Sequence, residues 1–423
     1  VMNNDPGYSL TGSTWIGHRR GTGPYARIQL AMLLAGIATF AQLYAPQALL
    51  PQIADAFSVS IADSSLMISM GTAGLAIAVV PWSLVADRIG RKRTISIAVV
   101  AATLLGLLST AMPNFELTLA MRFLEGLALG GVPAVAMAYI NEEIHRSDAA
   151  AAGGTFVAGN TIGGLSGRII SGPVGEATGS WEVGFLVVAG LSILASILFM
   201  VITPQPQGFI PMGGTGSTMR QSVQFTLSNS WQHLKNPVLI ALYTQPFLLL
   251  GGFVAVYNYL GYHLTEAPFF LPVWVSSLVF LAYLAGTVSS PPAGRLAGKY
   301  GRKRVMLITQ VITWASLGIM LIPNLIAIIA GLILFTAAFF GSHSTASGWA
   351  GAYPKFGRAQ STALYNLSYY IGSSILGYVG GLFFQQWGWV GLTAMVGSLF
   401  LIAFVIASTM LPGRPKEATR QHP

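Results

Sequence analysis

The chain has no cysteine. Disulfides and thiolate metal sites are therefore excluded. Charge is nearly as scarce: 8% of the 423 residues are Asp, Glu, Lys or Arg, where soluble domains average about 25%. No stretch reads G-x-x-x-x-G-K-[ST], so there is no Walker-type phosphate loop to drive a primary pump. Apolar residues run continuously rather than alternating, which sets aside an outer-membrane barrel. The first roughly 26 residues are polar and carry no apolar core before a cleavage site, so no signal peptide is expected.

What remains is apolar. Hydrophobic residues make up 53% of the chain, with 49 glycines. Membrane helices tolerate glycine and proline because neighbours re-satisfy the backbone. About 20 apolar residues cross the hydrocarbon, and the chain supplies twelve such windows: 28–50, 64–85, 94–112, 117–140, 149–173, 181–202, 238–262, 270–293, 304–322, 325–350, 359–384 and 388–411. The expected fold is an all-α membrane protein of two pseudo-symmetric six-helix bundles, 28–202 and 238–411. A tail (1–27), a linker (203–237) and a second tail (412–423) would lie in the cytoplasm.

Charge sets the orientation. With the Asp87 loop cytoplasmic, 20 of the 22 Lys and Arg fall in cytoplasmic segments and none in an outer loop. The outer loops carry Asp55, Asp63, Glu116, Glu176, Glu182 and Glu266 instead. So complete a Lys/Arg bias marks the inside. The net charge of +9 then reflects topology, not nucleic acid. Both termini are expected inside, in a bacterial inner membrane.

The charged turn Ser83-Leu84-Val85-Ala86-Asp87-Arg88-Ile89-Gly90-Arg91-Lys92-Arg93-Thr94 returns, degraded, at Gly294–Val305, 211 positions later. Gly90, Arg91 and Lys92 match Gly301, Arg302 and Lys303. A membrane bundle written twice is a common design of secondary transporters. The stretch resembles the loop signature G-x-L-a-D-r-x-G-r-k of the major facilitator superfamily. Two more motifs resemble that family: Arg122-Phe123-Leu124-Glu125-Gly126 on the fourth span, like R-x-x-q-G with Glu125 for the usual glutamine, and Gly154, Gly163, Gly167 and Gly172 on the fifth. The last is similar to the drug/proton antiporter pattern, with Arg168 where proline is usual. Gly159–Arg168, Asn258–Tyr262, Leu281–Thr287, His343-Ser344 and Ser368–Ser374 resemble the acriflavine-sensitivity (YnfM) branch, in which Arg168 would be normal.

The resemblance implies alternating access driven by the proton gradient, with no cofactor. Asp87, Arg88, Gly90, Arg91 and Lys92 would form the conformational switch. Arg122, Glu125 and Arg168 are the charged residues left at membrane depth, where burying a charge is costly and function is the default reading. Glu125 is the sole acid among them and the candidate proton carrier. If the fourth and fifth spans pack side by side, its carboxylate faces two guanidiniums; a permanent structural ion pair is the alternative. His343 titrates in the right range for a relay, or donates one structural hydrogen bond. Gln42, Gln47, Asn160, Tyr257, Asn258 and Asn366 are candidates to line the substrate cavity.

Two arginines against one glutamate leave no surplus acid for a cationic cargo. The expected activity is therefore proton-coupled export, as a multidrug-type antiporter, of small amphipathic, neutral or anionic compounds. Uptake of a sugar or organic anion by symport stays open. The partners are a small-molecule substrate, protons and the bilayer. No metal site, nucleic acid or enzymatic activity is expected, and the protein should be a monomer.

Overall fold

The computed structural model describes residues 15–209 and 219–413. Residues 1–14 and 414–423 of the expected tails, and 210–218 of the expected linker, lie outside the described residues. In chain order the helices are α1 (Gly23–Tyr44), α2 (Leu50–Phe57), α3 (Ile61–Ser64), α4 (Leu66–Ile89), α5 (Arg91–Ser109), α6 (Phe115–Leu129), α7 (Gly131–Glu143), α8 (Arg146–Thr178), α9 (Trp181–Ile202), α10 (Met219–His233), α11 (Pro237–Thr265), α12 (Val273–Ser277), α13 (Tyr283–Tyr300), α14 (Arg302–Met320), α15 (Leu325–Ala352) and α16 (Arg358–Met410).

Among the described residues, nine segments are long and apolar enough to cross a membrane. One of these holds two spans: α16 is broken at Gly388, whose φ of 62° is left-handed. The glycine-rich α8 and the Arg- and Gln-bearing α14 complete twelve. Their hydropathy is diluted, but they occupy the expected places. Several bounds differ from the sequence expectation. The first span starts earlier, at Gly23, and breaks at Tyr44 into a 3₁₀ turn, Ala45–Ala48. The fourth span is interrupted at Gly130. The interval read as linker contains a helix, α10.

Large apolar side chains face outward along these helices: Val201 is 70% exposed, Val288 74% and Ile326 78%. A water-facing surface would hide such a belt. Lipid does not require it.

By packing, the chain forms two units: residues 1–223 with 260–280, and 224–259 with 281–423. The core of the first includes Ile28, Met32, Val99, Val132 and Tyr139. That of the second includes Leu242, Tyr243, Met306, Trp349 and Tyr365.

The duplication is visible in backbone detail. Gly90 and Gly301 both take φ of 95°, with ψ of 153° and 138°. A side chain at either would be strained. Each turn then places a lysine against a helix end. Lys92 Nζ donates to the Thr203 carbonyl after α9 (2.6 Å), and Lys303 Nζ to the Ser408 and Leu411 carbonyls at the end of α16 (2.7 Å each). A cation there satisfies orphan carbonyls and the helix dipole together. Asn114 caps α6 and Asn324 caps α15, each side chain accepting a backbone N–H at 2.9 Å, as N-cap residues do.

Small residues set the helix spacing in the first unit. A Cβ on Gly126 of α6 would run into the Gly71 carbonyl of α4. One on Gly167 of α8 would strike the Ala41 carbonyl of α1. These are the close approaches that small-xxx-small pairs allow. Gly126→Leu is expected to destabilise the protein by about 1–3 kcal/mol, the usual cost of overpacking, measured by thermal unfolding in detergent. An unchanged midpoint would refute the close α4–α6 contact.

Candidate functional site

The site grows from a break in the first span. Pro46 has no N–H, so the carbonyl four residues back, at Gln42, loses its helical partner. The 3₁₀ turn leaves the last carbonyls of α1 in the interior of the unit, where an unmet acceptor is costly. Side chains from two other helices supply the donors. Arg122 on α6 donates from Nη2 to the Leu43 carbonyl (2.9 Å) and from Nη1 to the Gln42 carbonyl (3.4 Å). Its Nε donates to the Met67 carbonyl of α4 at 3.1 Å. Ser171 on α8 donates to the Ala45 carbonyl at 2.7 Å.

Arg122 also holds Glu125, one turn along α6, with Nη1 2.5 Å from Oε2. Both side chains are fully buried, and the Phe185 ring centroid lies 5.4 Å from the guanidinium. Arg168 is equally buried but belongs to a different set. Its Nε donates to Gln47 Oε1 (2.6 Å) and its Nη1 to the Gly164 carbonyl (2.8 Å). The guanidinium sits 4.3 Å from the Tyr44 ring centroid and 5.1 Å from that of Phe280. The expected cluster of one carboxylate facing two guanidiniums is thus corrected. The reason is packing: α6 lies against α4 and α5, whereas α8 lies against α1 and α9.

The other candidates distribute as follows. Gln42 is fully buried; its Nε2 donates to the Ala38 carbonyl (3.0 Å) and to Thr103 Oγ1 of α5 (3.2 Å). Asn160 is half-buried on α8 and packs over Gly36 of α1. In the second unit, Tyr257 pairs its hydroxyl with Thr336 at 2.7 Å. Asn258 is buried and Asn366 exposed. His343 is half-buried, with Nδ1 2.9 Å from the Tyr365 hydroxyl and its ring against Tyr369, centroids 4.9 Å apart.

At the expected switch, Asp87 meets Arg91 at 2.5 Å, and Arg91 meets Glu142 at 2.7 Å. Arg88 is exposed. The residues missed in the sequence stand beside this pair. Glu142 extends the Asp87–Arg91 pair into a chain of two ion pairs. Glu143 accepts the backbone N–H groups of Gln207 (2.9 Å) and Gly208 (2.7 Å). Trp15 Nε1 donates to the Glu142 carbonyl at 2.8 Å, and the His18 N–H to that of Glu143 at 2.8 Å. His18 is held below the usual imidazole range by burial. Two adjacent acids on the strongly basic side were the legible signal.

Among the described residues, no group of three His, Asp or Glu side chains could hold a metal.

The model of the Major Facilitator Superfamily matches residues 32–281 and 260–423. The chain belongs to that superfamily. It is a multi-pass membrane transporter, not an enzyme. It is 38% identical over 392 residues to the inner membrane transport protein YnfM of Escherichia coli K12, covering 93% of this chain and 92% of YnfM. A probable sugar efflux transporter of Helicobacter pylori 26695 is 24% identical over 285 residues, 67% of this chain and 68% of that one. Among solved structures, a bacterial homologue of the human lysosomal transporter Spinster, inward-facing and unoccupied, superposes with a TM-score of 0.75 at 16% identity. It covers 92% of this chain and 98% of that one, and shows the shared fold.

Proposed function

We propose that this transporter is a proton-coupled exporter of small amphipathic, neutral or anionic compounds, with Glu125 as the proton carrier. The observation that carries the reading is the fully buried Arg122–Glu125 pair at the break of the first span. A carboxyl there has one cationic neighbour, and that neighbour has three carbonyl acceptors of its own. Protonating Glu125 therefore leaves Arg122 solvated by protein dipoles rather than stranded. The second buried guanidinium, Arg168, donates to the Gln47 amide oxygen and the Gly164 carbonyl and lies over the Tyr44 and Phe280 rings. Such a bundle favours an anionic or neutral cargo over a cation.

Export is supported by the glycine pattern of α8 and by the efflux named for the Helicobacter relative. The basic segments would face the cytoplasm of a bacterial inner membrane, with the protein acting as a monomer. The test is a pH-sensitive dye inside liposomes holding the purified protein. A neutral sugar, an organic anion or a cationic dye is offered on one side. An anionic or neutral compound is expected to drive proton movement opposite to its own flow. Protons moving with the compound would establish symport instead, and no movement with any of the three classes would refute the coupling.

A further inference from the structure

Of the buried side-chain oxygens of the first unit that have no hydrogen-bond partner, two converge. Glu125 uses Oε2 on Arg122, while its Oε1 is buried without a hydrogen-bond partner. Gln42 Oε1 is in the same condition. Both oxygens stand against Gly106 of α5: the point a Gly106 Cβ would occupy lies 3.1 Å from Glu125 Oε1 and 3.3 Å from Gln42 Oε1.

The amide cannot be turned to cure this. Both Nε2 protons of Gln42 are spent, one on the Ala38 carbonyl and one on Thr103 Oγ1. Thr103 in turn donates its own proton to the Val99 carbonyl at 2.8 Å, so it must accept from Gln42. Flipping the amide would set an oxygen against the Ala38 carbonyl. The network thus fixes Oε1 toward α5 and α6. A carboxylate beside an amide oxygen offers two acceptors and no donor, a costly arrangement away from water. A carboxylic acid supplies the missing donor.

We infer that Gln42 and Glu125 form a proton-binding site in which one proton, carried on Glu125 Oε1, is shared with Gln42 Oε1 in the space left by Gly106. The inference rests on the proposed role of Glu125 and adds its partner. Gln42 is a positioning residue: it holds the acid form and ties α1 to α6 only while the proton is there. The groups facing Glu125 are few. Among the described residues, Arg122 of α6 pairs with its carboxylate, Gly106 of α5 and Gln42 of α1 stand at its free oxygen, and Thr103 of α5 and the Met67 carbonyl of α4 bond Gln42 and Arg122 in turn. Arg122 is the only charged side chain among them. A methyl group on Gly106 would press on both oxygens, at 3.1 and 3.3 Å.

The test is an infrared pH titration of the purified transporter in lipid, which reads a protonated carboxyl directly and needs no substrate. Wild type is expected to show an acid band that Glu125→Gln removes. Gln42→Leu and Gln42→Met both delete the acceptor that favours the acid, so each is expected to lower the midpoint of that band by about one pH unit, tenfold in proton affinity. Gly106→Ala is expected to lower it as well. Thermal unfolding identifies which Gln42 variant retains the fold for this comparison. No Glu125 band at any pH in wild type would overturn the site, as a bridging water on an ionised carboxylate would produce. So would an unchanged midpoint in the folded Gln42 variant. A band that titrates with Gln42 while no substrate moves protons would refute the coupling and leave this site standing.

Discussion

Glu125→Gln is expected to abolish uphill, proton-driven transport while leaving exchange of substrate across the membrane intact. The amide has the shape of the acid form and cannot lose a proton, so the cycle loses its coupled step but not its ability to rearrange. Gradient-driven accumulation in liposomes should fall to the level reached with no gradient, and the pH dependence of transport should flatten. The fold should survive. The ion pair with Arg122 becomes a hydrogen bond from the guanidinium to a neutral amide oxygen, which costs about 1–2 kcal/mol. The second amide proton can also face Gln42 Oε1, which lacks a donor. If the variant concentrates substrate as wild type does, the Arg122–Glu125 pair is structural, and the proton carrier must be sought elsewhere.

Arg122→Ala carries the second large effect, and it falls on stability as well as transport. It strips donors from the Gln42, Leu43 and Met67 carbonyls and leaves a buried carboxylate without its cation. Breaking a buried pair by removing one partner costs about 3–5 kcal/mol. Arg122→Lys is expected to rescue little, because a point ammonium cannot replace a planar fork that reaches α1, α4 and Glu125 together. Thermal unfolding of Arg122→Ala, Glu125→Gln and the double variant gives the coupling. The double variant should be more stable than Arg122→Ala alone, by about 1–3 kcal/mol, since the charge stranded by the first change is gone. A double variant no more stable than Arg122→Ala would mean that the carbonyl contacts, not the ion pair, carry the arginine's contribution.

The architecture was legible from the chain because a bilayer is a demanding solvent. It forces each span to be long, apolar and internally bonded, so hydropathy marks the helices. The repeat at Gly90 and Gly301 was equally legible, since only glycine serves at φ of 95°. Arg122, Glu125 and Arg168 could be singled out for the same reason: charge at membrane depth is costly enough to be kept only for cause.

Which of them meet was not legible. The spacing along α6 brings Arg122 to Glu125, a local relation one turn apart. Whether Arg168 joins them depends on which helices are neighbours, and no periodicity within α6 or α8 encodes that. Tertiary packing placed α8 on α1 and so gave Arg168 to Gln47 and the Tyr44 ring. It also brought Gln42 from α1, Glu125 from α6 and Gly106 from α5 to one point. In the sequence these three are a polar residue, an acid and one glycine among 49. Their convergence is a property of three helices held at fixed depth and rotation, and only the folded unit sets those.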